Sequence, residues 1–368
     1  MSNRPLLRVY NGWDYVNSLP MVLKGETGLY SSLRWENRWN TPGEFEIHLL
    51  PEKSNLNLFE PFDVVELRKE RFFSRESFGV VIAINLIKNT SGSEIVVRGK
   101  MLSWILSLRR VAEIGSITKA SSIMCSVALG AFARWNSTQK LQNRYIFGKN
   151  ITTTNESKSQ EEFSYKYDVE KTALAWIEEI SNETGIGFCV DVDFPDKKFH
   201  FKVQDFRAKP TMINVRMNEC MSISATKSVD NLINSVVQII DNNPNVSEDS
   251  YKVYVVSRRK NDGSSQDIRA SEAPYIRDNN SKSSFGAYSD CVDISNIEVE
   301  LSSMSYVYGR DYSLGDICRV YVSEMGMETE LPIMAVTEVW EEHYSATVTF
   351  GEKQKNVFEK MRKDAKRR

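Results

Sequence analysis

The stretch SLRWENRWNTPGEFEIHLL, residues 32–50, decides the fold. Its first run alternates Leu33, Trp35, Asn37 and Trp39 with Ser32, Arg34, Glu36 and Arg38. Its second alternates Phe45, Ile47 and Leu49 with Glu44, Glu46 and His48. A period of two with one apolar face is that of a half-buried β-strand. Between the runs, Thr41-Pro42-Gly43-Glu44 offers proline and then glycine as the central pair, as a type II turn asks, because its second central residue needs a positive φ. A hairpin is predicted, with Trp35, Trp39, Phe45 and Ile47 on its core side. On the other side Arg34 and Arg38 face Glu44 and Glu46 across the strands, supporting the register.

Outward from the hairpin, residues 6–10 and 21–23 read as strands before it, joined through a turn at Asn11-Gly12. Residues 61–67, 78–84 and 94–99 read as strands after it, linked by polar turns such as Asn89-Thr90-Ser91-Gly92. An antiparallel barrel or sandwich follows. The period then changes: Leu102, Ile105, Leu106 and Arg109 share a helical stripe, and a second helix over 118–135 carries Ile123, Val127 and Ala131. A third helix starts near Asp168, buries Leu174, Ile177 and Ile180, and stops at Gly185. Residues 150–162 hold too few apolar groups to pack and are expected to form an exposed loop. A hairpin over 186–192 and 198–203 leads to a second all-β region from Cys220, including 231–240 and 251–257, and 271–290 reads as a long Ser/Asn/Gly-rich loop.

An internal echo is visible in the chain itself. Pro61-Phe62-Asp63-Val64-Val65 has a counterpart in Leu314-Gly315-Asp316-Ile317-Cys318. Asp63 to Gly79 (79 − 63) and Asp316 to Pro332 (332 − 316) both span 16 positions. Aligned so, Phe78 meets Leu331, Val80 meets Ile333 and Ile82 meets Ala335. The fold class expected is mainly β (α+β): two duplicated β-barrel or sandwich domains with a helical insertion between them. The expected division is 1–115 for the first β domain, 116–212 for a helical and hairpin insertion, 213–352 for the second β domain and 353–368 for a basic C-terminal helix or tail.

The run Trp35-Glu36-Asn37-Arg38-Trp39-Asn40-Thr41-Pro42-Gly43-Glu44-Phe45 resembles the N-terminal signature of the tail-tip hub, or tail-associated, proteins of long-tailed siphophages. The likeness continues through Val97-Arg98-Gly99-Lys100, the apolar run 102–108, Leu314-Gly315-Asp316 and Val348-Thr349-Phe350-Gly351-Glu352. These motifs are structural, so the resemblance marks Trp35, Trp39, Pro42, Gly43, Phe45, Arg98, Gly99, Gly315, Asp316, Phe350 and Gly351 as structural positions. Such proteins are similar to the hubs of contractile-tail baseplates, whose paired tube-like domains form a pseudo-sixfold ring. The resemblance thus implies a homotrimer in the virion tail tip, assembled from chains made in the host bacterial cytoplasm. It would join the tail tube or distal tail protein to tip, spike or receptor-binding proteins, with genome and tape-measure protein passing through a mostly acidic lumen. It also implies a helix-bearing connection before the Gly-Asp motif, which 271–303 does not resemble.

Composition excludes several classes. The net charge of −2 over 368 residues gives no global pull toward nucleic acid or membrane, and no window approaches a membrane-spanning length of apolar residues. Cys125, Cys189, Cys220, Cys291 and Cys318 are odd in number and show no C-x-x-C, which favours reduced packing residues over a disulfide framework or zinc site. His48, His200 and His343 lie far apart among polar neighbours and suggest no metal triad. Neither a cofactor motif nor a catalytic motif occurs. Glu161-Glu162, Glu178-Glu179, Asp191 with Asp193, and Glu341-Glu342 are acid pairs of the type a glycosidase needs, but a helix face, a hairpin edge and a turn explain them. A structural, non-enzymatic protein is expected. The alternative is a cell-wall-directed carbohydrate-binding or peptidoglycan-hydrolysing tail module, with Trp13, Trp135 or Trp176 available to a sugar. The basic segment 353–368, with Val357, Phe358 and Met361 at helical spacing, reads as a docking helix.

Overall fold

The computed structural model describes residues 4–11, 22–69, 76–89, 92–111, 117–133, 151–163, 170–193, 198–215, 220–228, 235–239, 254–255, 272–277, 294–301, 306–323 and 326–351. Strands β1 (Leu6–Asn11), β2 (Val22–Thr27), β3 (Ser32–Arg38) and β4 (Glu44–Leu49) precede a short helix, α1 (Lys53–Leu58). Then come β5 (Val64–Arg68), β6 (Phe78–Asn89) and β7 (Gly92–Met101). A 3-10 helix (Leu102–Leu108) leads to α2 (Ala120–Ala133), β8 (Ile151–Asn155), α3 (Ala173–Thr184), β9 (Gly187–Asp193) and β10 (Lys198–Gln204). The remainder is β: β11 (Arg207–Val215), β12 (Cys220–Ser228), β13 (Ser235–Ile239), β14 (Tyr254–Val255), β15 (Glu272–Arg277), β16 (Ile294–Leu301), β17 (Asp316–Val322), β18 (Met327–Trp340) and β19 (Tyr344–Phe350).

Two compact units result, Met1–Ile223 with Glu298–Phe350, and Ser224–Ile297 with Gly351–Arg368. The second holds a small sheet in which β13 runs antiparallel to β14 and parallel to β15. The first unit is dominated by one large sheet, and in it the duplication is plain. The first copy runs β3-β4-β7-β6-β5-β1, with β2 beyond, and the second runs β12-β16-β19-β18-β17-β11. The copies differ where β1 lies antiparallel to β5 and β11 parallel to β17. Both middle strands carry a bulge at the same place, between Val81 and Ala83 and between Ile333 and Ala335. The alignment by spacing is one residue out on that strand. The Phe62 and Gly315 N–H groups donate to Val81 O and Ile333 O, so Val81, not Val80, matches Ile333.

The copies are joined strand to strand. The first half of β18 pairs with β17, and its second half lies between β19 and β3, from Ala335 opposite Arg38 to Trp340 opposite Leu33. Inside the first copy, Leu7, Val9, Leu33, Trp35, Phe45, Ile47, Val65, Val81 and Val97 form one core. The opposite face of β5 and β6, with Val64, Phe78 and Val80, packs on the 3-10 helix through Ile105 and Leu106 and on the insertion through Ile123, Val127, Trp176, Ile177, Phe188 and Phe201. Single strands with both faces apolar follow from this double burial.

Several expectations change. Gly43 does not take a positive φ; it is glycine because a Cβ there would lie 1.8 Å from Glu36 O. Arg34 does face Glu46 in register, but the ion pairs run elsewhere. Glu46 binds Arg98 and Glu44 binds Lys100 on β7, while Arg34 and Arg38 both turn to Glu36. Part of the expected 150–162 loop is β8, which extends a parallel edge beside β10, and part of the expected 271–290 loop is β15. The apolar turn after β7 is a 3-10 helix, with Leu102, Ile105 and Leu106 buried. Helix α3 is capped by Thr172, whose Oγ1 accepts from the Ala175 N–H, where a start near Asp168 was expected; Gly185, at φ 74°, ends it as expected. Strand β11 was not anticipated, since its Pro210 interrupts the period. The basic segment 353–368, Trp13 and Trp135 lie outside the described residues.

Candidate assembly site at the junction around Trp39

Three parts of the chain meet on one side chain. Trp39 leaves β3 at the mouth of the hairpin, and its N–H donates to Met334 O on β18 at 2.9 Å. Its indole Nε1 donates to Gly185 O at 2.9 Å, and its ring stacks on Phe206 at 4.8 Å between centroids. The ring lies in a slot floored by two glycines. A Cβ at Gly187 would sit 2.2 Å from Trp39 Cε2, and one at Gly315 1.9 Å from Trp39 Cζ3. First copy, insertion and second copy are therefore keyed together by an indole that is 1 % exposed. Just beyond it, Asn40 Nδ2 donates to Asn182 Oδ1 and Thr41 Oγ1 to Glu178 Oε1, fastening the hairpin to α3.

A second keyed ring, Phe45, sits on the other strand of the hairpin, opposite Trp35. Trp35 stacks on Phe45 at 5.1 Å, and Phe45 fills the room left by Gly79 and Gly99, where a Cβ would come within 2.5 and 2.2 Å of the ring. Pro42 and Gly43 are buried at the hairpin mouth. Arg98 lies on the outer face of β7, beside Glu46. Asp316 is buried at the start of β17, accepts from the Ser313 N–H at 2.8 Å and faces Arg207 and Lys209. Phe350 is fully buried opposite Ile333, and Gly351 follows at φ 74°. The structure thus brings Trp39 and Gly315 into contact, and likewise Phe45 and Gly99. Arg98 stands apart on the surface.

No family model matches the chain, and no curated protein matches it. Solved structures do. A tail protein from Neisseria meningitidis MC58 superposes at TM-score 0.58 over 95 % of this chain and 96 % of that one, at 11 % identity. The 43 kDa tail protein of prophage MuSo2 from Shewanella oneidensis gives 0.59 over 94 % and 98 %, at 9 % identity. Prophage tail protein gp18 from Listeria monocytogenes EGD-e gives 0.59 over 98 % of both, at 13 % identity. The chain has the fold of phage tail proteins.

Within this tail-protein fold, one junction feature escaped the sequence. Lys69, just after β5, donates to both carboxylate oxygens of Glu338 on β18, and Tyr344 Oη donates to Glu338 Oε1 at 2.9 Å. The Lys69 ammonium also lies 5.3 and 5.2 Å from the ring centres of Tyr308 and Trp340. Glu338 is 2 % exposed. This buried pair in an aromatic cage is a second tie between the copies. Its only sequence signal is a lysine ending one strand and a glutamate inside another, which is no signal at all.

The residues considered for chemistry are dispersed in the tail-protein fold, and several are engaged individually. His48 sits between Glu46 and Glu94, and His200 between the Thr152 and Thr154 hydroxyls. His343 is exposed in the β18–β19 turn. Glu178 holds Thr41, Glu179 pairs with Lys171, Asp191 with Lys202, and Glu341 accepts from Ser32. Trp176 is 3 % exposed, in the core between α3 and its neighbours.

Proposed function

We propose that this chain is a structural hub at the distal end of a phage tail or tail-like particle. Three copies form a pseudo-sixfold ring joining the tail tube or distal tail protein to tip, spike or receptor-binding proteins. The observation that supports this is the duplication: two tube-like copies share one sheet within a fold common to phage tail proteins over nearly the whole chain. Two such copies per chain make three chains equal to six tube-like positions, and closed cyclic symmetry is the usual way a ring of this kind is completed.

In this reading 1–115 holds the first tube-like domain and 213–352 most of the second, whose strand β11 already begins within the 116–212 insertion and whose span includes the small unit 224–297; 353–368 is a basic terminal segment. The role is structural rather than catalytic, and the keyed residues around Trp39 hold the two positions of one chain at a fixed angle. Genome and tape-measure protein pass through the lumen without specific binding. Reconstruction of a particle at its tail end tests the proposal. The expected result is three chains around the tail axis; six chains, or a place away from the distal end, would overturn it.

A further inference from the structure

The internal duplication supplies a template for contacts between chains. By their place in the strand order β3 matches β12, and β6 matches β18. Beyond its bulge, β18 offers residues 335–340 to β3 of the first copy, and that edge is filled. The matching edge of β6 is residues 83–89. Strand β5 pairs with β6 only over 78–80, so among the described residues 83–89 has β7 on one side and no strand on the other. Leu86 and Ile87 on this length are 60 and 44 % exposed, and Ile82, at the bulge just before it, 39 %. An open strand edge with apolar side chains pairs with another strand unless something blocks it. Strand β12, in turn, has only β16 beside it among the described strands.

We infer that β12 of a second copy of this chain pairs antiparallel with residues 83–89 of β6, repeating between chains the contact that β3 makes with β18 within one chain. The occupant is a second copy rather than the chain's own β12, because the own strand is separated from β6 by β16, β19, β18, β3, β4 and β7 in the sheet. Each chain then carries one donor strand and one acceptor edge, a head-to-tail arrangement that closes into a ring when the rotation allows. The inference rests on the ring reading above and assigns the strands that would close it.

The test uses the full chain, its Leu86→Lys/Ile87→Lys variant and hydrogen exchange. Both side chains are exposed, so the variant keeps the thermal midpoint of the wild type. Sedimentation of the wild type over rising concentration is expected to show assembly, and the variant to need at least about a hundredfold more protein, since lysines on an edge are a natural block to strand pairing. Amides of 83–89 and 220–228 should gain protection together as the wild type assembles. Assembly that the variant matches, or that protects neither segment, overturns the strand assignment while leaving the ring. A wild type that stays monomeric at every concentration overturns the strand assignment, while the ring reading is decided by the particle reconstruction.

Discussion

Phe62 and Gly315 hold the same backbone position in the two copies. Their φ angles are 73° and 83°, and their N–H groups donate to Val81 O and Ile333 O at 2.8 and 2.9 Å. Each precedes a buried aspartate, Asp63 or Asp316, that accepts from the N–H three residues upstream at 2.8 Å. The difference lies in the surroundings. Trp39 presses on Gly315, whereas Phe62 is 42 % exposed. Phe62→Gly is therefore expected to be neutral or to stabilise by up to about 1 kcal/mol in urea denaturation, because it removes a left-handed non-glycine residue. A loss above that would show that the Phe62 ring matters more than its backbone.

Gly315→Ala adds a methyl to an occupied slot at a backbone angle that alanine dislikes, and is expected to cost about 3 kcal/mol or more. Trp39→Ala alone should cost roughly 3 to 5 kcal/mol. In the Trp39→Ala background the further cost of Gly315→Ala should fall to about 1 to 2 kcal/mol, leaving only the backbone part. Additive losses in the double-mutant cycle would mean that the slot relaxes around the methyl.

Lys69→Met strands the Glu338 carboxylate in a site closed to water, with Tyr344 as its remaining donor. The expected loss is about 3 to 5 kcal/mol. Lys69→Met combined with Glu338→Leu should recover part of it, as apolar replacements of a buried pair often do. A double variant weaker than either single one would assign the cage a role beyond neutralising Glu338.

His48 gives the pH dependence. Burial lowers its pKa, but hydrogen bonds and charge from Glu46 and Glu94 outweigh that and raise it above the ordinary 6.5. A raised folded-state pKa contributes stability that is whole below the unfolded value and is lost as pH rises through the folded one. The stability gap between wild type and His48→Gln should therefore be widest near about pH 5.5 and close toward about pH 9. A gap independent of pH would mean that His48 acts only as a neutral hydrogen-bonding group.

The hairpin and both meanders were legible because their information is local: alternation, turn residues and the repeated Asp-plus-strand spacing. The one-residue error on β18 came from the connection before it: Val64 and its partner Val80 are 16 positions apart (80 − 64), Ile317 and its partner Pro332 15 (332 − 317), while the bulges, shared by both strands, cancel. Strand β8 was missed because Thr152, Thr153 and Thr154 supply no apolar alternation; their strand habit is that of β-branched side chains. Thr172 and Asp168 are both good caps, so only the packing of α3 chooses between them. Trp39 was expected in the core and Gly315 was marked as a structural position, but the slot was not foreseen, because nothing in the sequence links Gly187 and Gly315 to one indole. The Lys69–Glu338 pair lay outside reach for the same reason: its partners are brought together by the whole sheet.

The pairing of β3 with β18 also has a timetable. Arg38 meets Ala335, so 335 − 38, or 297, residues of synthesis separate the two halves of that contact. At roughly 5 to 20 residues per second, the open side of β3 waits on the order of 15 to 60 s on the ribosome for its neighbour. During that interval Trp39 has neither Gly315 nor Met334 to settle against. Nascent chains would then carry an aromatic, unpaired strand edge through most of translation, making yield sensitive to chaperone supply and growth temperature even though the finished fold is well tied.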